Sequence, residues 1–364
     1  MRPYRADVIG SLLRPADLLR AREQQAACTM PDAEFKRIED RAVDEAIALY
    51  ERAGVDVVTD GEQRRNLFAS QLVQASEGFA AVSGNRVDWF TLDGRVVDDP
   101  VTVGLVGKIR RKRHLSAEEF TYLRARTTRP TKVSIPSPTM FAYYWVPGIS
   151  EAAYPSPEAY LADVTDVLRD EVAELVRLGA TYIQVDAPEF GMLIDPHQRE
   201  WFARKGFDPD RLIHDGVAMI NTVIAGHPGV TFGLHVCRGN DKSRYMARGG
   251  YERISRVVFR HARAQRLLLE YDDERSGDFA PLRDVPDDTV VVLGLITTKW
   301  PREESTTELG SRIEEASAYI PLERLALSPQ CGFASVATGN SISPKVQERK
   351  LRLVAEVARA VWRN

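Results

Sequence analysis

Two cysteines, a histidine and a glutamate stand where they could share one metal ion. His235-Val236-Cys237 ends an apolar, β-branched run. Residues two apart in a strand face the same side, so His235 and Cys237 point into one space. Glu270 ends Leu267-Leu268-Leu269-Glu270, an apolar setting in which an unpaired carboxylate is costly. Cys331 closes a further run in Ser328-Pro329-Gln330-Cys331-Gly332. Singly each is a weak signal, since buried cysteines usually serve as small hydrophobes. Together, two thiolates, an imidazole and a carboxylate form a tetrahedral set that Zn2+ accepts. A thiol meeting such a zinc loses its proton and becomes a reactive thiolate, provided the carboxylate gives way to the incoming sulfur. Alkyl transfer to sulfur suits this set better than hydrolysis, where a bound water is the usual fourth ligand.

The elements that must position these residues recur along the chain. Short β-branched runs cover residues 7–11, 55–61, 131–137, 180–187, 231–237, 266–272, 290–296 and 325–331. Helical spacing fills much of the sequence between and after them, at 32–53, 157–178, 210–225, 244–264, 305–319 and 344–362. In the second of these, Tyr160, Leu161, Val164, Leu168, Val172 and Leu175 keep one apolar stripe, and Gly179 stops the helix. Eight strands alternating with helices predict an α/β fold, a closed (β/α)8 TIM barrel, and all four candidate ligands then sit at its carboxyl-terminal mouth. A length of 364 residues fits one such catalytic barrel, 1–364, without a linker. Residues 82–108, rich in Val, Gly and Asp with an Asp93-Gly94 turn signal, read as a β-hairpin insertion after the second strand. It would serve as a lid or as a contact in a homo-oligomer.

Composition narrows the partners. A net charge of -3 gives no global pull toward nucleic acid or an anionic membrane surface. No apolar run approaches the ~20 residues that span a bilayer, and Met1 to Asp7 lack the apolar core of a secretory signal. Three cysteines, two of them in the metal constellation, predict a reducing, cytoplasmic setting; Cys28 is assigned no role.

Beyond these residues the chain resembles the cobalamin-independent methionine synthase family, specifically its short single-barrel members. The resemblance runs from Val8 to about Trp362 and rests on Ile9-Gly10-Ser11, Leu12-Leu13-Arg14-Pro15, Thr59-Asp60-Gly61-Glu62 with Arg65-Asn66, and Ile183-Gln184-Val185-Asp186. Leu234-His235-Val236-Cys237-Arg238-Gly239-Asn240, Leu269-Glu270-Tyr271-Asp272 and Ser328-Pro329-Gln330-Cys331-Gly332-Phe333 complete it. It implies a methyltransferase acting on homocysteine or a related thiol, with zinc on His235, Cys237, Glu270 and Cys331. It further implies that Ser11 receives the amino-acid carboxylate while Glu62 and Asp186 receive the ammonium, which makes that pair candidate catalytic residues too. The physics agrees, because an α-amino acid needs anions for its amine and donors for its carboxylate. An epoxide or other electrophile is the alternative partner for the thiol, and a structural zinc is the non-enzymatic alternative.

Departures from the family pattern fall on the donor side. The full-length enzymes carry a second, N-terminal barrel and, after the seventh strand, a histidine implicated in proton transfer. Here Leu295-Ile296-Thr297-Thr298-Lys299 occupies that region, with Ile296 nearest and Lys299 read as a solvated loop residue. Tyr143 or Trp145 could replace a folate-stacking tryptophan, although aromatic clusters also serve as core or lid packing. The donor candidates are therefore methylfolate, methylcobalamin or a small methylated metabolite. Two charge clusters complete the reading. Residues 108–114 could meet an anionic tail or simply be solvated, and residues 272–278 could support the ligands from behind.

Overall fold

A computed structural model describes residues 4–362. Six parallel strands form one continuous sheet: β5 (Val133–Pro136), β6 (Tyr182–Asp186), β7 (Thr231–Val236), β8 (Arg266–Glu270), β9 (Val290–Ile296) and β10 (Leu325–Pro329). They are buried on both faces, which explains why they read as near-continuous apolar runs rather than alternating ones. Helices Pro157–Arg177, Pro209–Ile224 and Pro344–Trp362 are among those covering them. Ser156 caps the first through the Ala159 N–H, Pro157 follows at its first turn, and Gly179 ends it at φ +94.

The first two expected strands, 7–11 and 55–61, do not form ladders. Each contributes one isolated parallel bridge, Ala6 with Leu327 and Val58 with Thr131. At the start of the first segment, side chains take backbone donors that a ladder would have used. The Asp56 carboxylate accepts the N–H groups of Arg5 and Ala6 at 2.7 and 2.9 Å, and Asp7 accepts that of Val8 at 2.8 Å. Sparse bonds still carry the ring past these segments. The Asp7 N–H reaches Leu327 O, Asp56 N–H reaches Ala6 O, and Lys132 N–H reaches Val58 O, each at 2.9 Å. The architecture is thus the TIM-barrel type with two thin staves.

The hairpin region is larger than 82–108. Strand β1 (Ser76–Ala81) pairs antiparallel with β4 (Val103–Arg111), and between them β2 (Arg86–Phe90) pairs with β3 (Val96–Pro100) around a turn with Gly94 at φ +82. The inner pair is pinned to the barrel by Phe90, which exchanges backbone bonds of 2.7 and 3.0 Å with Tyr245. His197 on Asp88 at 2.7 Å and the Trp201 indole on Arg86 O at 2.6 Å add to this. That pairing also displaces the helix expected at 244–264, which begins only at Glu252; residue 249 before it is a glycine at φ +124. The basic run 108–114 pairs outward instead, Arg111 with Asp170, Lys112 with Glu77 and His114 with Glu171. Among the described residues no helix is long and apolar enough to cross a membrane.

One buried charge cluster ties the first thin stave to the sheet. Asp7, fully buried, accepts from Lys132 Nζ at 2.9 Å and Tyr182 OH at 2.8 Å and faces Arg266 at 3.2 Å. Burial alone would raise the Asp7 pKa, but Lys132 and Arg266 outweigh it and hold the carboxyl below its ordinary range. Lys132 also donates to Gln184 Oε1 at 2.7 Å, and Gln184 Nε2 donates to Asp186 Oδ1 at the same distance, so the cluster reaches the barrel mouth. Removing one partner from a buried ion pair strands the other. Lys132→Met is expected to lower stability by about 3 kcal/mol, read as a shifted urea midpoint at unchanged slope.

Candidate metal and thiol site

The parallel register sets the site. Asp186 ends β6 opposite His235 of β7, Cys237 lies one residue past β7, and Glu270 ends β8. Cys331 follows β10 after an irregularity at Ser328 and Pro329. His235, Cys237 and Cys331 each offer a donor atom within 4.8 Å of the others, and all three are buried. The His235 Nδ1 is 3.1 Å from Leu268 O, which leaves Nε2 buried without a hydrogen-bond partner. An imidazole tethered at one nitrogen and bare at the other is arranged as a metal ligand. The two thiols face each other. Cys237 beside it, with His235 and Lys299 nearby, holds Cys331 well below the usual thiol range; Cys331 and burial push Cys237 up. Two sulfurs and one nitrogen with room beyond them match a zinc site that keeps an open position.

Glu270 stands apart from this group. Its Oε2 accepts the Arg238 N–H at 2.6 Å, and its Oε1 faces Arg275 at 3.3 Å and Lys299 at 3.4 Å. Burial would raise its pKa, yet Lys299, Arg275 and Arg238 together pull it down to about 2. The expected four-residue shell is thus three donors brought together and a carboxylate held beside them by cations. Lys299, expected in solvent, is fully buried, because the loop after β9 folds inward onto this acid. From the 272–278 cluster, Arg275 and Asp272 lie against the same group, and Arg275 is bound by Asp273 at 2.8 Å.

A cavity of about 370 Å³ opens onto the three donors. Ser11, Glu62 and Asp186 line it with them, while Val87, Trp89, Val101 and Val103 of the hairpin region form its apolar roof. Glu62 holds a left-handed backbone at φ +53, uncommon for a residue with a side chain. Its Oε1 accepts from Ser134 Oγ at 2.9 Å, and its Oε2 is buried with no partner. Asp186 is pushed up to about 7, chiefly by burial, with His235 opposing and Glu62 adding to the rise. Arg65 faces Glu62 Oε1 at 3.5 Å, which leaves Glu62 Oε2 and the Asp186 carboxyl turned to the cavity without a cation of their own. Ser11 packs directly on Gly332, where a Cβ would collide with the Ser11 hydroxyl.

The aromatic expectations divide. Tyr143 lines the cavity with its hydroxyl on the sulfurs of Met192 and Met246, at 2.6 and 3.2 Å. Trp145 does not line it; the ring is buried against Tyr160, 6.3 Å between centroids, and belongs to the core. Ile296 is a buried, apolar strand end that offers no proton. Sequence reasoning missed Trp89 in the roof and Asn240, which lines the cavity and donates to Gly332 O at 2.7 Å. An aromatic in the hairpin was the available signal for the first; Asn240, just past His235-Val236-Cys237, was there to be read for the second.

Comparison with known proteins places nearly the whole chain among known sequences and folds. The family model described as "Cobalamin-independent synthase, Catalytic domain" matches residues 5–358. The uncharacterized protein YxjH of Bacillus subtilis is 32% identical, over 99% of this chain and 95% of its own. A methionine synthase of Pyrococcus abyssi is 28% identical, over 90% and 85%. The crystal structure of a putative vitamin-B12-independent methionine synthase from Listeria monocytogenes superposes with a TM-score of 0.74 at 26% identity, covering 99% and 98%.

Replacing Glu62, the acid with one unpartnered oxygen, tests whether it binds an amine independently of the metal donors. Glu62→Gln is expected to weaken homocysteine binding roughly tenfold in calorimetry, the worth of a charge-assisted bond, with metal content unchanged. Cys331→Ser is expected to lower metal content itself, measured by elemental analysis after dialysis.

Proposed function

The chain belongs to the cobalamin-independent methionine synthase family and is a methyltransferase of homocysteine-methylating type, and from that premise we propose a zinc-dependent reaction at the mouth of this barrel. His235, Cys237 and Cys331 would hold the ion, with Glu270 as the partner that can approach or withdraw. Zinc there supplies positive charge that lowers the pKa of a thiol and leaves its sulfur nucleophilic. Glu62 and Asp186 receive the ammonium of homocysteine, and Ser11 with the adjacent backbone receives its carboxylate. So held, the sulfur is aimed along the cavity toward the roof, where a donor can sit in line. The thiol proton passes to solvent, a sulfur–carbon bond forms to the methyl group, and the donor keeps the electron pair of the broken bond, taking up a proton in return where it leaves as an anion. The product is methionine.

The observation that carries this reading is that three donors placed to bind a metal share one cavity with two buried acids, Asp186 and Glu62, the latter with one oxygen that has no hydrogen-bond partner. A thiol bearing a sulfonate, the partner expected for epoxide opening, would need cations where Glu62 and Asp186 stand. A purely structural metal would not need a cavity opening onto its donors. Zinc-loaded protein incubated with homocysteine and methylfolate, methylcobalamin or small methylated metabolites is expected to form methionine with one donor, detected by mass spectrometry. That activity should fall to background in Cys237→Ser. Methionine formed equally well by the Cys237→Ser protein would sink the proposal.

A further inference from the structure

Lys299 lies in a stretch without periodicity, yet its ammonium is fully buried. Burying a cation is expensive unless a partner and further hydrogen bonds compensate. Its partner is Glu270, 3.4 Å away and equally buried. Arg275 reaches the same oxygen at 3.3 Å, and the N–H of Arg238, next to Cys237, holds the other at 2.6 Å. The three come from the loops after β9, β8 and β7, so the carboxylate is gripped from three staves of the barrel. The donor atoms of His235, Cys237 and Cys331 meanwhile gather without it.

We propose that Lys299 and Arg275 form an off-metal berth for Glu270, and that Lys299 is a positioning residue that sets how readily this carboxylate yields its place to substrate sulfur. The inference rests on the zinc reading above and assigns a role to residues outside the donor set. The physical content is a competition. A metal ion draws the carboxylate one way, and two buried cations with a backbone donor draw it the other. A ligand that is fully committed to the metal resists displacement; one with a second, equally satisfied position exchanges without leaving a buried charge unpaired. A methionine at 299 keeps the volume and removes one holder of the berth, while Arg275 and the Arg238 N–H still satisfy Glu270 enough to keep it buried.

The test uses full-length protein and Zn2+ alone, then Zn2+ with homocysteine. Lys299→Met is expected to tighten Zn2+ roughly tenfold in chelator competition and to weaken homocysteine about as much in calorimetry. Lys299→Arg should restore both values. Part of the zinc effect is simple repulsion between cations, so the pair is measured again in Glu270→Gln. There the homocysteine effect of Lys299→Met should disappear, as a double-mutant cycle requires of coupled residues. Arg275→Met, at the less deeply buried side of the berth, gives the same direction and serves if the Lys299 substitution unfolds the protein. Unchanged homocysteine binding in both Lys299→Met and Arg275→Met, or an equal loss in the Glu270→Gln background, overturns the berth. Wild-type protein that fails to bind Zn2+ at all would remove the site reading and the berth with it.

Discussion

Parallel strand pairing brings the ends of neighbouring strands to one level, and the candidate site depends on that register. Asp186 is opposite His235, and Glu270 is opposite Gly294, because β6 through β9 pair without irregularity. An irregularity between β10 and β9, at Ser328 and Pro329, lies just before Cys331. A one-residue slip in such a sheet would turn His235 from the mouth and point its apolar neighbour there instead. Register therefore fixes which donors can meet, and burial fixes what meeting them costs.

The charges buried by this barrel fall into two kinds. Lys132, Arg266 and Tyr182 all turn to Asp7 and join the first thin stave to the sheet. At the mouth the accounts are left open. Glu62 Oε2 and His235 Nε2 have no protein partner, and Asp186 is pushed up to about 7 chiefly by burial. Natural interiors rarely tolerate such groups without a use for them. Gln184 joins the two regions, taking a bond from Lys132 and giving one to Asp186, so the charge cluster that stabilises the fold also orients a site acid.

Much of the site was legible because strand chemistry is local. His-x-Cys at a strand end, and an acid or a cysteine closing other apolar runs, need only the period of two and the rule that barrel sites occupy one end. What escaped was set by distant contacts. Nothing near Lys299 in sequence announces that Glu270 will draw it inside. The side chain of Glu270 was assigned to the right strand end, but its direction is decided by Arg238, Arg275 and Lys299. Trp145 and Tyr143 are two residues apart in one aromatic cluster, and only packing against Tyr160 or Met192 separates core from cavity. The 7–11 run has strand composition, yet Asp56 and Asp7 divert the backbone donors of Arg5, Ala6 and Val8 at its start.

The central claim is that substrate sulfur joins a metal held by His235, Cys237 and Cys331, and X-ray absorption of the zinc-loaded protein addresses it directly. Spectra are compared with and without excess homocysteine. The account predicts that the zinc shell gains one sulfur at the expense of a nitrogen or oxygen neighbour. A shell that starts with two sulfurs and stays unchanged under saturating homocysteine would contradict it.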